Sequence, residues 1–161
     1  DAMIELAISG DEAAAARFDS MAARIHRRLL DAITANAAAL QAHVVQDALS
    51  GKVLKARSGR LKDSIAVTVA DTGDGIAAGI GSDAPYAAIQ EFGGQTAPHV
   101  IAARNAAVLA FRLGGRTVFA RRVQHPGSRI PARPFLRAAL AEQADRIRDS
   151  LRAAVGAAIA P

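Results

Sequence analysis

The spacing of apolar residues changes near the start of the chain. Between Met3 and Ile8, apolar residues alternate with polar or small ones, which predicts a short, half-buried strand. From Asp11 to Leu49 the apolar spacing becomes helical, which predicts one long amphipathic helix that is stopped at Gly51. Its many alanines favour helix but add little bulk, so the apolar stripe must pack closely against another element. The stripe consists of Phe18, Met21, Ile25, Leu29, Ile33, Leu40 and Val44.

The middle of the chain predicts a helical turn, a hairpin and a short helix. Ser58 is placed to cap a single turn that directs Leu61 and Ile65 inward. Two alternating segments, 65–70 and 76–80, surround an Asp- and Gly-rich turn, a pattern typical of a β-hairpin. A short helix then begins near Pro85 and closes at two glycines, and three of its residues share one face: Tyr86, Ile89 and Phe92.

A second hairpin is predicted around Gly114 and Gly115, which form a two-residue turn. Its strands are 108–113 and 116–123, with Leu109, Phe111, Val118 and Ala120 on one side. Residues 95–107 have no clear period and are predicted to be a loop, although 100–103 could pair with a sheet edge.

Three prolines stiffen residues 125–134, which we call the proline strap. Each proline fixes its own φ and restricts the preceding residue to extended geometry, so the strap should deliver Phe135 and Leu136 into a core. The residues beyond it predict a closing helix, because apolar side chains recur at helical spacing. They are Leu136, Leu140, Ile147, Leu151, Val155 and Ile159.

These elements together predict an α+β fold. A small antiparallel sheet of hairpins packs against a long N-terminal helix and a C-terminal helix. The length of 161 residues suits one domain, 1–161, with its own core. The predicted core contains Leu61, Ile65, Leu109, Phe111, Phe135 and Leu140.

Positive charge is concentrated in the second part of the chain. Residues 1–96 contain nine Lys or Arg and twelve acids, whereas 97–161 contain eleven Arg and three acids. Such a basic region can dock on an acidic partner, form a solvated helix face or follow a phosphate backbone. No aromatic residue is interleaved with these arginines to stack bases, which favours the first two interpretations over DNA binding.

Residues for catalysis or metal binding are not brought together by the sequence. His26 and His43 lie seventeen positions apart on the predicted helix, and His99 and His125 fall in separate segments, so surface or capping roles are favoured. The aspartates near glycine are explained by turn formation. There is no cysteine for a disulfide or a thiolate site, and no apolar run of the roughly 20 residues that a membrane span needs. We therefore expect no enzyme activity, cofactor, metal or small-molecule substrate.

Eight residues are candidates for contacts between subunits or with a partner. Tyr86 and Phe92 either pack in the core or act as aromatic anchors on a neighbouring subunit. The arginines either are solvated or meet the acidic first half of a neighbour, and two of them beside Pro134 could clamp a carboxylate. With His125, the basic candidates are Arg121, Arg122, Arg129, Arg133 and Arg137.

Four short motifs in this order resemble a known family. They are Gly-x-Leu-x-x-Ser-Ile at 59–65, Tyr-Ala-x-x-x-Glu-Phe-Gly at 86–93, Leu-Ala-Phe before the Gly-Gly turn at 109–115, and the strap from His-Pro-Gly to Pro-Phe-Leu at 125–136. By these motifs the last two-thirds of the chain is similar to the tail-component proteins of long-tailed bacteriophages related to gp10 of phage HK97. The N-terminal strand and helix match only in type.

The resemblance implies a structural protein of the virion, at the neck between head and tail. Such proteins form rings, here expected to be hexameric, that take part in tail completion and head–tail joining and have no enzymatic step. The implied partners are head-completion or adaptor proteins on one side and a tail terminator or tail-tube protein on the other. Genome DNA passes through the lumen without sequence-specific binding. The first residues, 1–5, lack the features of a secretory signal, which predicts assembly in the host cytoplasm.

Two alternatives remain open at this point. The chain could be the tail terminator, which caps the tail tube and stops its polymerisation, because composition does not separate the two roles. It could also be a DNA-binding module that uses the basic C-terminal half. That alternative predicts steeply salt-dependent affinity for duplex DNA, whereas a ring component alone should bind little DNA.

Overall fold

The computed structural model describes residues 10–54, 58–104 and 106–160, and the chain divides into two compact units. Unit 1 contains the described residues up to Ala84 and from Phe135 onward, and unit 2 is the continuous segment Pro85–Pro134. The strand predicted from Met3 to Ile8 lies outside the described residues. The assignment of 1–161 as one head–tail connector domain stays a prediction.

The described part of unit 1 is built mainly from two long helices and a hairpin. Its elements are α1 (Asp11–His43), a π-helical turn (Val44–Ala48), α2 (Arg60–Asp63), β1 (Ile65–Asp71), β2 (Ile76–Ser82) and α4 (Leu136–Ile159). The long helix, the first hairpin and the closing helix are thereby confirmed. Gly51 follows the π-helical turn with a φ of 123°, a conformation that favours glycine and ends the helix as predicted.

Helices α1 and α4 run antiparallel and pack through small residues. Ala37, Ala139 and Ala158 are all buried, so the two backbones can approach closely. Polar contacts join the helices along their length: Asn36 Nδ2 donates to Ser150 Oγ at 3.0 Å, and Arg24 Nε donates to the Ala158 carbonyl at 3.2 Å. Small buried residues therefore occur on both helices of this pair, and polar side chains join them.

The β1–β2 hairpin lies against α1 in the same unit. Its antiparallel register runs from the pair Ile65 and Ser82 to the pair Asp71 and Ile76. Ile65 is buried, and its carbonyl accepts a hydrogen bond of 2.7 Å from Gln41 Nε2 on α1. One end of the hairpin is therefore fixed to the helix by both packing and a hydrogen bond.

The described residues of unit 2 form one short helix and six short strands. They are α3 (Ala87–Phe92), β3 (Gly94–Gln95), β4 (His99–Ala102), β5 (Leu109–Leu113), β6 (Arg116–Ala120), β7 (Arg122–His125) and β8 (Arg129–Ile130). Strands β5 and β6 form the second predicted hairpin, and β3 pairs with β8 and β4 with β7, all antiparallel. With β1–β2, the strands of the described residues make four two-stranded pairs, and the α+β class is confirmed.

Three local predictions are wrong. Ser58 does not cap α2, because Gly59 occupies the N-cap position with a φ of 78° and no side chain makes a capping hydrogen bond there. The loop predicted at 95–107 contains β4, so the alternative of pairing with another strand is the correct one. Leu140 is 49% exposed, because α4 turns the adjacent Ala139 inward.

The other predicted core positions are buried or half-buried. Phe135 is fully buried and Ile65 is 4% exposed, as predicted for the end of the strap and the start of β1. Leu61, Leu109 and Phe111 are half-buried.

Candidate assembly surface

The proline strap is held along the end of α3 by backbone hydrogen bonds. The Arg133 N–H donates to the Gln90 carbonyl at 2.7 Å, and the Thr96 N–H donates to the Ser128 carbonyl at 2.9 Å. Ser128 N–H in turn donates to Thr96 Oγ1 at 2.7 Å. Between these bonds the short strands β3 and β8 pair. The helix-end motif and the strap motif, about forty positions apart in sequence, are thus one local structure.

Two glycines make this close approach possible. A Cβ atom on Gly93, whose φ is 72°, would lie 2.8 Å from the Ala132 nitrogen and 3.0 Å from the Ile130 carbonyl oxygen. A Cβ atom on Gly127, whose φ is 92°, would overlap the Thr96 carbonyl oxygen. Both positions combine a left-handed φ with backbone contact, which explains why glycine occurs in each motif.

A pair of histidines stacks beside the strap. His99 and His125 are directly opposed in the β4–β7 register, with ring centroids 5.0 Å apart and an interplanar angle of 26°. His99 Nδ1 lies 3.0 Å from the Ala97 carbonyl, and His125 Nδ1 accepts a hydrogen bond of 3.0 Å from the Gly127 N–H. The candidate His125 therefore fixes the turn at the start of the strap.

Unit 2 exposes positive charge without negative charge. Its single acidic residue, Glu91, is 3% exposed. All the arginines of the unit are exposed, namely Arg104, Arg112, Arg116, Arg121, Arg122, Arg129 and Arg133. Such a one-signed surface attracts an acidic partner or a polyanion and repels a second surface of the same kind.

Large apolar side chains are also exposed in unit 2. Phe92 is 64% exposed, Leu113 and Phe119 are each 66% exposed, and Val100 is 50% exposed. Among the described residues of the unit, only Ala87 and Glu91 are buried. Apolar surface of this extent on a small unit is typical of a protein that docks on a partner.

The structure places seven of the eight predicted contact residues in unit 2. Tyr86, 37% exposed, occupies the N-cap position of α3, and Phe92 is the last residue of that helix. Arg121 lies between β6 and β7, and the others follow along the strands and the strap: Arg122, His125, Arg129 and Arg133. Arg137, on the first turn of α4, belongs to unit 1. Their role in assembly stays a prediction.

Sequence reasoning missed Phe119 and Leu113 as exposed apolar residues. The signal was present for Phe119, because Val118 and Ala120 face the inner side of the hairpin and strand residues alternate between faces. For Leu113, no sequence signal separates an exposed turn position from a buried one.

Several ionisable side chains of unit 1 make close contacts between its elements. His26 Nε2 lies 2.8 Å from Asp71 Oδ2. His43 lies 2.6 Å from Asp47 and 3.0 Å from Glu142, and Lys52 Nζ lies 3.1 Å from the same Glu142 carboxylate. The Gly73 N–H and then His26 lower the pKa of Asp71, and Lys52 and then His43 lower the pKa of Glu142. These pairs connect α1 and the residues that follow it to the hairpin and to α4.

Neither metal-binding nor membrane-spanning features occur in the part of the chain that the structure describes. Within residues 10–54, 58–104 and 106–160, no group of three or more His or acidic residues is arranged to hold a metal ion. No helix among these residues is both long and apolar enough to cross a bilayer.

Comparison with known proteins gives one family match. The model of a family described as "Bacteriophage HK97-gp10, putative tail-component" matches residues 12–93, just over half of the chain. The match includes α1, which the short motifs alone leave out, together with the motifs at 59–65 and 86–93. The hairpin and strap motifs lie beyond it. Neither the curated proteins nor the solved structures gave a match.

Proposed function

Because the chain belongs to the HK97-gp10-like family of bacteriophage tail components, we propose that it forms a ring in the neck of the virion, at the head–tail junction. The family indicates a structural, non-enzymatic role, a location in the virion and interaction with other virion proteins. The proposed ring is a hexamer that takes part in tail completion and in joining tails to heads.

The observation that carries this proposal is the exposed surface of unit 2. A single chain leaves Phe92, Leu113 and Phe119 largely exposed beside arginines that have no exposed acidic neighbour within the unit. In a ring each subunit presents one surface to the next, and such surfaces bury apolar anchors inside a polar rim. The eight candidate residues, Arg137 included, are proposed to lie at or near these contacts.

The neighbours of the ring follow from its proposed place. Head-completion or adaptor proteins would contact one side, and the tail terminator or tail-tube protein would contact the other. Genome DNA would pass through the lumen without sequence-specific binding. The purified chain need not form a closed ring by itself, because assembly on a neighbouring protein can supply the missing contacts.

The test compares phage particles assembled with this chain and without it. Without the chain, tails of normal length that fail to join heads are expected, and immunogold or cryo-electron microscopy of complete particles should place the chain at the neck. Tails longer than normal would instead assign the chain as the tail terminator. Labelling along the tail or at its distal tip would contradict both roles.

A DNA-binding role is tested separately with the purified chain. The ring proposal predicts weak binding to duplex DNA at physiological salt. A specific affinity that falls steeply with salt, with a slope that counts several phosphate contacts, would favour a DNA-binding module.

A further inference from the structure

The first turns of α1 are exposed on all sides. Every side chain from Glu12 to Ser20 is exposed, and Phe18 is 70% exposed, whereas Val44 in the π-helical turn after α1 is fully buried. The apolar stripe includes both Phe18 and Val44, so the difference in their exposure reflects the loss of a packing partner toward the start of the helix. We call residues 12–22 the N-terminal arm.

The end of α4 explains where the partner is lost. The Ala158 carbonyl, one residue before the end of α4, accepts the hydrogen bond from Arg24. Because the two helices are antiparallel, the arm lies beyond the end of α4, and its first residue, Glu12, is about 18 Å along the helix axis from Arg24, at 1.5 Å per residue. The tip of the β1–β2 hairpin meets α1 at His26, whose Nε2 lies 2.8 Å from Asp71 Oδ2.

The arm combines an aromatic anchor with negative charge. Ala14 and Met21 lie four residues before and three residues after Phe18, so they share its side of the helix. Glu12 and Asp19, seven residues apart, lie on one face beside it. A helix gains most of its stability by packing an amphipathic face, so this arm is suited to binding a second surface.

The outward face of the β5–β6 hairpin has the complementary chemistry. The register pairs Ala110 with Phe119 and Arg112 with Thr117 on this face, and all four side chains are exposed. Arg116 pairs with Leu113 and so belongs to the other face, and no exposed acid occurs in unit 2. The face therefore offers an aromatic side chain next to Arg112, which has no exposed acidic neighbour within unit 2.

We propose that the N-terminal arm of one copy docks on the outward face of the β5–β6 hairpin of a second copy. Phe18 packs on Phe119, and the carboxylates of Glu12 and Asp19 lie near Arg112. This proposal rests on the proposed ring and names the contact that closes it. Because the arm and the hairpin are different surfaces, the contact is head-to-tail, the type that generates rings.

Cross-linking between two tagged versions of the full chain tests the contact. The sequence has no cysteine, so single cysteines can be introduced without background. One version carries Ala14→Cys, on the Phe18 side of the arm, and the other carries Thr117→Cys, on the outward face of the hairpin. A short bis-maleimide is added to tails assembled from the mixture, and a mixed dimer carrying both tags is expected.

Ala13→Cys is the matched control, because Ala13 is exposed on the side of the arm away from both Phe18 and the two carboxylates. It should give at least about tenfold less mixed dimer with Thr117→Cys. Equal cross-linking from the two arm positions, or assembled rings without any cross-link, would overturn the docking contact and leave the ring intact. In a third version that carries both cysteines on one chain, cross-links found only within single chains would show that the arm docks on its own hairpin and would overturn the contact as well. A chain absent from the neck would overturn the ring and the contact together.

Charge exchange gives a second, independent readout. Asp19→Arg should reduce incorporation into tails, and Arg112→Asp on the same chain should restore it, because the exchanged pair meets across the interface. Phe18→Ala should weaken assembly at least about tenfold, as is typical of an aromatic anchor, without changing the unfolding midpoint. Unchanged assembly of both the Phe18→Ala and the Asp19→Arg variants would overturn the proposal.

Discussion

Unit 1 and unit 2 are stabilised in different ways. Unit 1 contains the large, fully buried side chains Val44, Leu49 and Phe135. Unit 2 buries only Ala87 and Glu91 among its described residues and is organised by short strand pairs, backbone hydrogen bonds and glycines. The first unit therefore has an interior of its own, whereas the second keeps its apolar side chains on the surface, where partners can reach them.

Replacing phenylalanine in each unit tests this difference most strongly. Phe135→Ala should lower the free energy of unfolding by about 3–5 kcal/mol, because it leaves a cavity in a packed interior. The matched change Phe119→Ala, at a residue 66% exposed, should alter it by no more than about 0.5 kcal/mol. Chemical denaturation measures both values. Similar losses for the two variants would contradict the comparison.

Replacing a glycine tests what organises unit 2. Gly93→Ala should cost about 1–3 kcal/mol, because alanine disfavours the left-handed φ and its Cβ would meet the backbone of the strap. Hydrogen exchange at β3 and β8 should show the loss of protection. Gly75→Ala is the control, since no atom lies within 4 Å of its Cβ position. Unchanged protection in the Gly93 variant at Thr96 and Arg133, whose N–H groups donate to the Ser128 and Gln90 carbonyls, would contradict the account.

The smallest effect expected concerns the ion pairs of unit 1. The hydrogen bonds from Lys52 and His43 hold the pKa of Glu142 below its ordinary value of 4.5. A lowered folded-state pKa stabilises the fold above the ordinary value, and this contribution is lost as the pH falls through the lowered value. Glu142→Gln should therefore reduce stability slightly at neutral pH and flatten its decline in acid.

Thermal denaturation between neutral and acidic pH measures this effect. It should be small because the carboxylate is exposed and screened by solvent. The His26 and Asp71 pair should behave in the same way, since Asp71 also has a lowered pKa. If stability falls equally in acid for the wild type and for Glu142→Gln, the contacts of Glu142 with Lys52 and His43 contribute nothing to folding.

Regular elements were predictable from the sequence because their signals are local. The apolar stripe of α1, the alternation of β1 and β2, and the turn at Gly114 and Gly115 each depend on residues close in sequence. The pairs β3–β8 and β4–β7 were missed as pairs, because their strands are two to four residues long and join distant segments. Such short strands have too few residues to show a period.

Burial was harder to predict where alanine replaces larger residues. The pattern of α4 favoured Leu140, yet the buried positions of this helix are Ala139 and Ala158. Close packing of two helices selects small side chains at the contact, and hydropathy gives these a weak signal. For the candidate surface, the sequence indicated the basic character of the strap region, but the exposure of Phe119 and Phe18 depends on which elements end nearby.

Unit 2 interrupts unit 1 in the sequence, so unit 1 cannot finish folding until unit 2 has been synthesised. The chain leaves unit 1 at Ala84 and returns at Phe135, so the ribosome completes unit 2 before it makes α4. Contacts such as Asn36 with Ser150 join residues 114 positions apart, and contacts of this range form late in folding. Until α4 emerges, the apolar stripe of α1 lacks its partner helix. A nascent chain stalled before Phe135 should therefore be prone to aggregation and a substrate for chaperones.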